Sequence, residues 1–285
     1  PPPPPLFFFT HTTAPALLSG LVGSEMCIRD RNMITPKHLL ENVTKYPDKP
    51  AMSFKDHSDN WIESTWSNFY ISSESISKSL VAYGINKNDK ISIYSYNRRE
   101  WVECYAAVQL INAVAVGVYH TCSSSEVEWI VNNSESKIIF IGNNPGDNGE
   151  KEKMPVHRLN HILSSLPNIE RVVLMDGVDT IDDSRVVSWD EFILKGNGIS
   201  SEEILNRLNG VDENDTASLI YTSGTTGNPK GVELTYKNFN FELDCLLSFL
   251  RYDQGEKFIS WLPGAHVFGQ ALDNHYWICL LYTSP

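Results

Sequence analysis

KISIYSYNRREWVECYAAVQLINAVAVGVY, residues 90–119, is the stretch on which the fold turns. KISIYSY (90–96) alternates apolar and polar residues with period two, as a half-buried strand does. From Asn97 through Trp101 to Leu110 the pattern reads as a helix. AVAVGVY (113–119) is then an unbroken apolar run with the length and β-branching of a strand buried on both faces. Strand, helix and buried strand in succession form the crossover unit of a parallel sheet, because parallel strands cannot be joined by a tight turn.

The same rhythm extends both ways. Upstream, Thr35-Pro36 opens a helix bearing Leu39, Leu40 and Val43, with the threonine hydroxyl free to cap backbone N–H groups and an end near Tyr46-Pro47. Thr65 opens a second helix with Phe69, Ile76, Leu80 and Tyr83 on one face; Ser72 and Ser73 interrupt that face and Gly84 stops it. Downstream, Ser123 or Ser124 starts a helix carrying Val127, Ile130 and Val131, followed by the strand KIIFIG (137–142) and the polar loop GNNPGDNGEK (142–151). RVVLMDG (171–177) is a further strand, Ser188 caps a short helix through Phe192, and residues 200–208 are helical before the strand at 218–221. The expectation is an α/β fold of parallel-rich sheets covered by helices, one partial domain without internal repeats. Trp66, Trp101 and Trp129 fall on helices and are expected in the core, whereas Glu100, Glu126 and Glu128 read as helix-surface or first-turn charges.

The formal net charge of −12 excludes a general polyanion binder, and no basic or basic-aromatic stripe supports nucleic-acid binding. An anionic ligand would have to be held by local geometry. The first residue is Pro1, and residues 1–32 differ in texture from everything that follows. A signal peptide is disfavoured there, since no basic residue precedes the short apolar runs and Pro15 interrupts them. VGSEMCIRDR resembles translated sequencing-adapter read-through, and CLLYTSP (279–285) resembles another such product. Residues 1–32 and 279–285 are therefore expected to be non-native, leaving 33–278 as the protein proper. Within it Cys104, Cys122 and Cys245 lack the paired spacing of a disulfide framework or a zinc site, and a reducing compartment fits best. No apolar run reaches the ~18 residues of a membrane helix, so a cytoplasmic protein, at most peripheral on a membrane, is expected.

The chemistry concentrates in YTSGTTGNPKGVELT, residues 221–235. Gly224, Gly227 and Gly231 allow positive φ and close backbone approach, Thr222, Ser223, Thr225 and Thr226 add hydroxyls, and Lys230 adds a point charge stiffened by Pro229. Together they read as a cradle for a polyphosphate between the strand SLIY and a short strand at 232–234, with Thr235 capping the next helix. The loop is not a Walker A loop, because Pro229 stands where that pattern needs the glycine of Gly-Lys-Ser/Thr, and the spacing of a kinase glycine-rich loop is absent too.

YTSGTTGNPKG resembles, residue for residue, the phosphate-loop motif of the adenylate-forming superfamily. TWSNFY, the stretch from GINKNDK to SKIIFI and ISWLPGAHVFGQ (259–270) are similar to the amino-terminal half of long-chain acyl-CoA synthetases. Glu233, where the family often has an apolar residue, and Gly264 in the Leu-Pro-x-Ala-His segment depart from the pattern. The resemblance implies a two-step ligation. A fatty-acid carboxylate attacks the α-phosphorus of ATP to give acyl-AMP and pyrophosphate, and the thiol of coenzyme A then displaces AMP. It further implies that the backbone and hydroxyls of Thr222, Ser223, Gly224, Thr225 and Thr226 hold the β- and γ-phosphates, that Gly227 and Gly231 belong to the same cofactor-binding loop, that Lys230 helps stabilise departing pyrophosphate, and that Thr225 contacts Mg²⁺.

His266 alone reads as a core or capping histidine; the resemblance sets it near the carboxylate and the mouth of the acyl site. Trp261 and Phe268 either line the apolar wall of that site or pack in the core. His120, at a strand's carboxyl end where such folds place ligands, is read as structural. The family continues beyond the motifs present here into an adenine loop, a ribose-binding aspartate and a small mobile domain with a catalytic lysine. The implied whole is a ligase of which this piece alone does not turn over. The same chemistry on an aryl, short-chain or amino-acid carboxylate, a non-catalytic nucleotide-binding module, and, were residues 1–32 native, a secreted binding protein are the alternatives.

Overall fold

A computed structural model describes residues 34–56, 58–143, 154–176, 181–222, 227–249 and 257–280. The readings made for residues 1–32, 144–151 and 281–285 fall outside these. The chain opens with helix α1 (Thr35–Lys45) and an antiparallel pair, β1 (Pro50–Lys55) and β2 (Trp61–Thr65), that stands apart from the main sheet. Helix α2 (Trp66–Ala82) follows; Thr65 caps it by accepting from the Asn68 amide, and Gly84, at φ +83°, turns the chain out of it. Then come β3 (Lys90–Ser95), α3 (Arg99–Leu110), β4 (Val114–Val118), α4 (Ser124–Ser134) and β5 (Ile138–Gly142). Next are α5 (Pro155–Ile162), β6 (Arg171–Leu174), β7 (Val186–Ser188), α6 (Trp189–Lys195) and α7 (Ser201–Asn209). The hairpin β8 (Thr216–Thr222) and β9 (Lys230–Thr235) leads into α8 (Tyr236–Phe249). A last helical stretch, α9, joins Val267–Gly269, a π-helical Gln270–Tyr276 and Trp277–Leu280.

The seven-stranded sheet has the order β7-β6-β5-β3-β4-β8-β9, parallel throughout except for β8–β9. The α/β expectation holds, and the apolar runs have a physical reason: both faces of the sheet are buried. Ile91, Ile93, Ala115, Phe140 and Ala217 point into one core cluster, shared with α2, α3 and α9. Their neighbours Tyr94, Val114, Val116, Ile139 and Leu219 point into the other, under α4 and α5. β4 and β5 are accordingly apolar at successive positions. β3 keeps its period-two alternation although both its faces are buried, Ser92 meeting the Ser136 hydroxyl at 2.7 Å; the half-buried reading of 90–96 is corrected to that extent. Among the described residues no helix is long and apolar enough to cross a membrane.

Several local readings need correcting. The Thr35 hydroxyl does not cap α1, whose N-cap is Ile34; it lies 2.5 Å from Nδ1 of the buried His275, and Cys279 Sγ donates to it at 3.7 Å. A hydroxyl beside a buried imidazole satisfies a group with no access to water, while the Lys37 and His38 amides at the start of the helix already bond the Ile34 carbonyl at 2.8 and 3.1 Å. Helix α3 starts at Arg99, not Asn97, because the Asn97 amide is engaged elsewhere: it donates to Leu262 O at 2.6 Å and accepts from Gly264 N at 2.8 Å. Trp66 and Trp101 are core residues as expected, but Trp129 is 38% exposed. Glu100 is a first-turn charge of α3, as expected, and is paired with Arg98 at 2.8 Å. Of residues 279–285 only Cys279 and Leu280 are described; they end α9, and Cys279 is buried.

Candidate nucleotide-binding site

Strand β8 is buried from Ala217 to Tyr221 and emerges at Thr222, which is exposed. Strand β9 returns beside it, longer than the 232–234 expected from sequence, in the register Thr222↔Lys230, Tyr221↔Gly231 and Ile220↔Val232. The two ends of the glycine-rich loop thus meet at one cross-strand pair, with a hydroxyl and an ammonium both facing solvent. Ser223, Gly224, Thr225 and Thr226 lie outside the described residues, and with them the expected metal contact. Gly227 has φ +129°, a conformation side chains rarely adopt, and a Cβ there would meet nothing within 4 Å. Its glycine is required by backbone conformation in open space.

Gly231 is required for the opposite reason. A Cβ would lie 3.0 Å from Cζ of Tyr221, whose ring lies against it. The Tyr221 hydroxyl donates to Asn133 Oδ1 on α4 at 2.7 Å, and burial pushes the phenol up to about 12, so it stays protonated. Four residues earlier on α4, Trp129 Nε1 donates to the carbonyl of Pro229 at 2.9 Å. Neither α4 residue is evident as a site residue in the sequence; the one available signal is their four-residue spacing, which puts both on one side of the helix. Thr235 and Asn238 close the far end reciprocally, each side chain bonding the other's backbone amide.

The segment holding His266 reaches the neighbouring strand. A Cβ on Gly117 of β4 would fall 2.7 Å from Cα of Ala265, and Gly117 is the register partner of Ile220 in β8. His266 therefore stands at the carboxyl edge of β4, beside the strand that feeds the loop. Its ring meets Tyr119 edge-on at 6.4 Å, and Nδ1 accepts from the Phe268 amide at 3.1 Å, capping α9. With Nδ1 accepting, the neutral imidazole carries its proton on Nε2 and offers a donor. Trp261 and Phe268, 76% and 42% exposed, do not pack in the core. His120 stacks on Tyr96 with ring centroids 3.9 Å apart, consistent with its structural reading.

Gly264, a departure at the sequence level, has a steric cause. A Cβ there would lie 2.6 Å from Cε2 of the buried Trp101 indole. Gly264→Ala is therefore expected to cost roughly 1–2 kcal/mol, since the indole cannot yield and only the 262–264 backbone can. Urea denaturation of the two chains measures this, and equal midpoints would show that the backbone moves freely.

A family model described as AMP-binding enzyme matches residues 39–282. Long-chain-fatty-acid–CoA ligase ACSBG2 of Xenopus laevis is 25% identical over 248 residues, 85% of this chain and 32% of its own length. A crystal structure from Rhodopseudomonas palustris, described as a long-chain-fatty-acid CoA ligase, superposes with a TM-score of 0.66 at 18% identity, covering 86% of this chain and 55% of the other. The anthranilate CoA ligase AuaEII, solved with anthranoyl-AMP, gives 0.60 at 18% identity over 76% of this chain and 38% of its own. The chain thus spans about a third of the length of that curated relative. At these identities the structures share the fold, and the family model reaches from α1 into the residues after α9. The chain belongs to the AMP-binding enzyme family.

Proposed function

We propose that the complete protein is an ATP-dependent long-chain fatty acid–CoA ligase, with residues 33–278 forming part of its amino-terminal domain. It activates the carboxylate as acyl-AMP and passes the acyl group to coenzyme A. The observation that carries this is the Thr222↔Lys230 pair, which closes a hydroxyl- and glycine-rich loop at the carboxyl edge of a parallel sheet. A carboxylate is a poor nucleophile towards an anionic phosphate, so the site has to align the two groups and neutralise charge. The backbone and hydroxyls of Thr222, Ser223, Gly224, Thr225 and Thr226 hold the β- and γ-phosphates, Gly227 and Gly231 complete the cofactor-binding loop, and Lys230 follows the charge that builds on departing pyrophosphate. The exposure of Thr222 and Lys230 and the open space around Gly227 fit an ATP tail. Mg²⁺ would be held by Thr225 together with the phosphates and water, as suits an ion that takes few protein ligands, and would supply charge neutralisation. His266 presents Nε2–H towards the carboxylate end of the site. The protein is cytoplasmic, at most peripheral on a membrane.

The matched relative's activity supports the fatty-acid substrate, while the fold is shared with a ligase of an aryl acid. Carboxylate-dependent exchange of labelled pyrophosphate into ATP by the complete protein separates the two. Exchange is expected with palmitate and not with benzoate, acetate or amino acids. Exchange with an aryl acid alone would move the substrate class, and none with any acid would reduce the protein to a nucleotide-binding module. The 285-residue chain given ATP, palmitate and CoA is expected to form no acyl-CoA.

A further inference from the structure

We infer that Trp129 is a positioning residue for the phosphate loop, holding the arm that carries Lys230 through its indole N–H; the inference rests on the nucleotide-binding reading above. Strand β9 lies at the edge of the sheet and residues 230–233 are exposed, so its pairing with β8 is its main restraint within the sheet. Such an edge opens locally at low cost. Helix α4 supplies the missing restraint. Its core face is Val127, Ile130, Val131 and Ser134, all buried. Trp129 and Asn133 lie off that face and are spent on the hairpin instead.

Asn133 takes the hydroxyl of Tyr221 on the incoming arm, and Trp129 gives its N–H to Pro229 on the outgoing one. One helix thus grips both mouths of the loop, and Tyr221, lying against Gly231, joins the two grips. Pro229 has no N–H to add to the ladder, so its carbonyl is the backbone handle next to Lys230. The helix is itself fixed at its start by the reciprocal Ser123–Glu126 capping box. Apolar burial does not explain a tryptophan left 38% exposed at this place; a directed N–H does.

The consequence is a loop arm ordered before the triphosphate arrives, so less order has to be imposed on binding. Trp129→Phe keeps an aromatic ring and removes the pyrrole half of the indole with its N–H. Loss of one net hydrogen bond corresponds to about fivefold in an equilibrium constant. In the 285-residue chain, hydrogen exchange at the Gly227, Asn228 and Lys230 amides is expected to quicken by about that factor. In the complete protein the KM for ATP should rise about fivefold while kcat, the KM values for fatty acid and CoA, and the melting temperature stay put. Wild-type exchange and kinetics in Trp129→Phe, with Lys230→Ala still crippling pyrophosphate exchange, would overturn the inference and leave the site reading intact. A joint shift of every kinetic constant and the melting temperature would also overturn it, since packing alone does that. If Lys230→Ala too is without effect, the site reading fails and takes this inference with it.

Discussion

Lys230→Ala in the complete protein is expected to slow fatty-acid-dependent pyrophosphate exchange by about 10²–10³-fold, the effect of deleting one preorganised donor at a site of developing charge. That factor is about 3–4 kcal/mol of transition-state stabilisation. Two features make the loss catalytic and not structural. Lys230 is exposed, so its removal opens no cavity, and its backbone pairing with Thr222 does not involve the side chain. The chain also carries a formal net charge of −12, so its overall field repels a nucleotide and the nearby cation matters more. The melting temperature should therefore hold. Lys230→Arg should recover part of the rate, because it restores the charge but presents a planar fork where a compact ammonium can follow a moving phosphate. Unchanged exchange in Lys230→Ala would remove this residue from the mechanism.

The sheet was legible where strands buried on two faces are written as apolar runs, as at 113–119 and 137–142, and from the period-two alternation of 90–96. The hairpin was legible from the apolar run SLIY before the glycine-rich segment and the short return strand after it. What escaped depends on contacts far apart in the chain. Thr35 looked like a cap because capping is local, but it serves His275, 240 residues away. Trp129 looked like core because tryptophan usually is, and its partner Pro229 lies 100 residues on. The β1–β2 pair mixes polar and exposed apolar residues on a pair outside the main sheet, so no clean alternation marks it. Helix α5 is eight residues long, and the π-helical turn in α9 has no period that the 3.6-residue rule detects.

The stability of this chain is expected to change little between pH 7 and pH 5, as the difference of two large opposed effects. His275 is fully buried, stacked on Phe239 at 3.7 Å, with the Thr35 and Tyr105 hydroxyls at 2.5 and 2.9 Å from its ring nitrogens. Burial holds its pKa down at about 3, against 6.5 for a free imidazole. Below pH 6.5 the unfolded chain takes up a proton that the folded one refuses, so stability is complete above 6.5 and drains away as pH falls towards 3. At about 1.4 kcal/mol per pH unit, pH 5 costs about 2 kcal/mol. Glu103, 2% exposed on α3, has the opposite sign: burial raises its pKa to about 7, with the Arg99 guanidinium at 3.4 Å working against the rise. Its folded form keeps a proton that the unfolded chain releases above pH 4.5, so going from pH 7 to pH 5 returns about 2 kcal/mol. Single substitutions should separate the two. By urea denaturation His275→Asn should gain about 2 kcal/mol on going from pH 7 to pH 5, whatever its stability at pH 7, and Glu103→Gln should lose about as much. Parallel pH profiles for wild type and both variants would mean that water reaches these groups and that neither is held in an unusual protonation state by the fold.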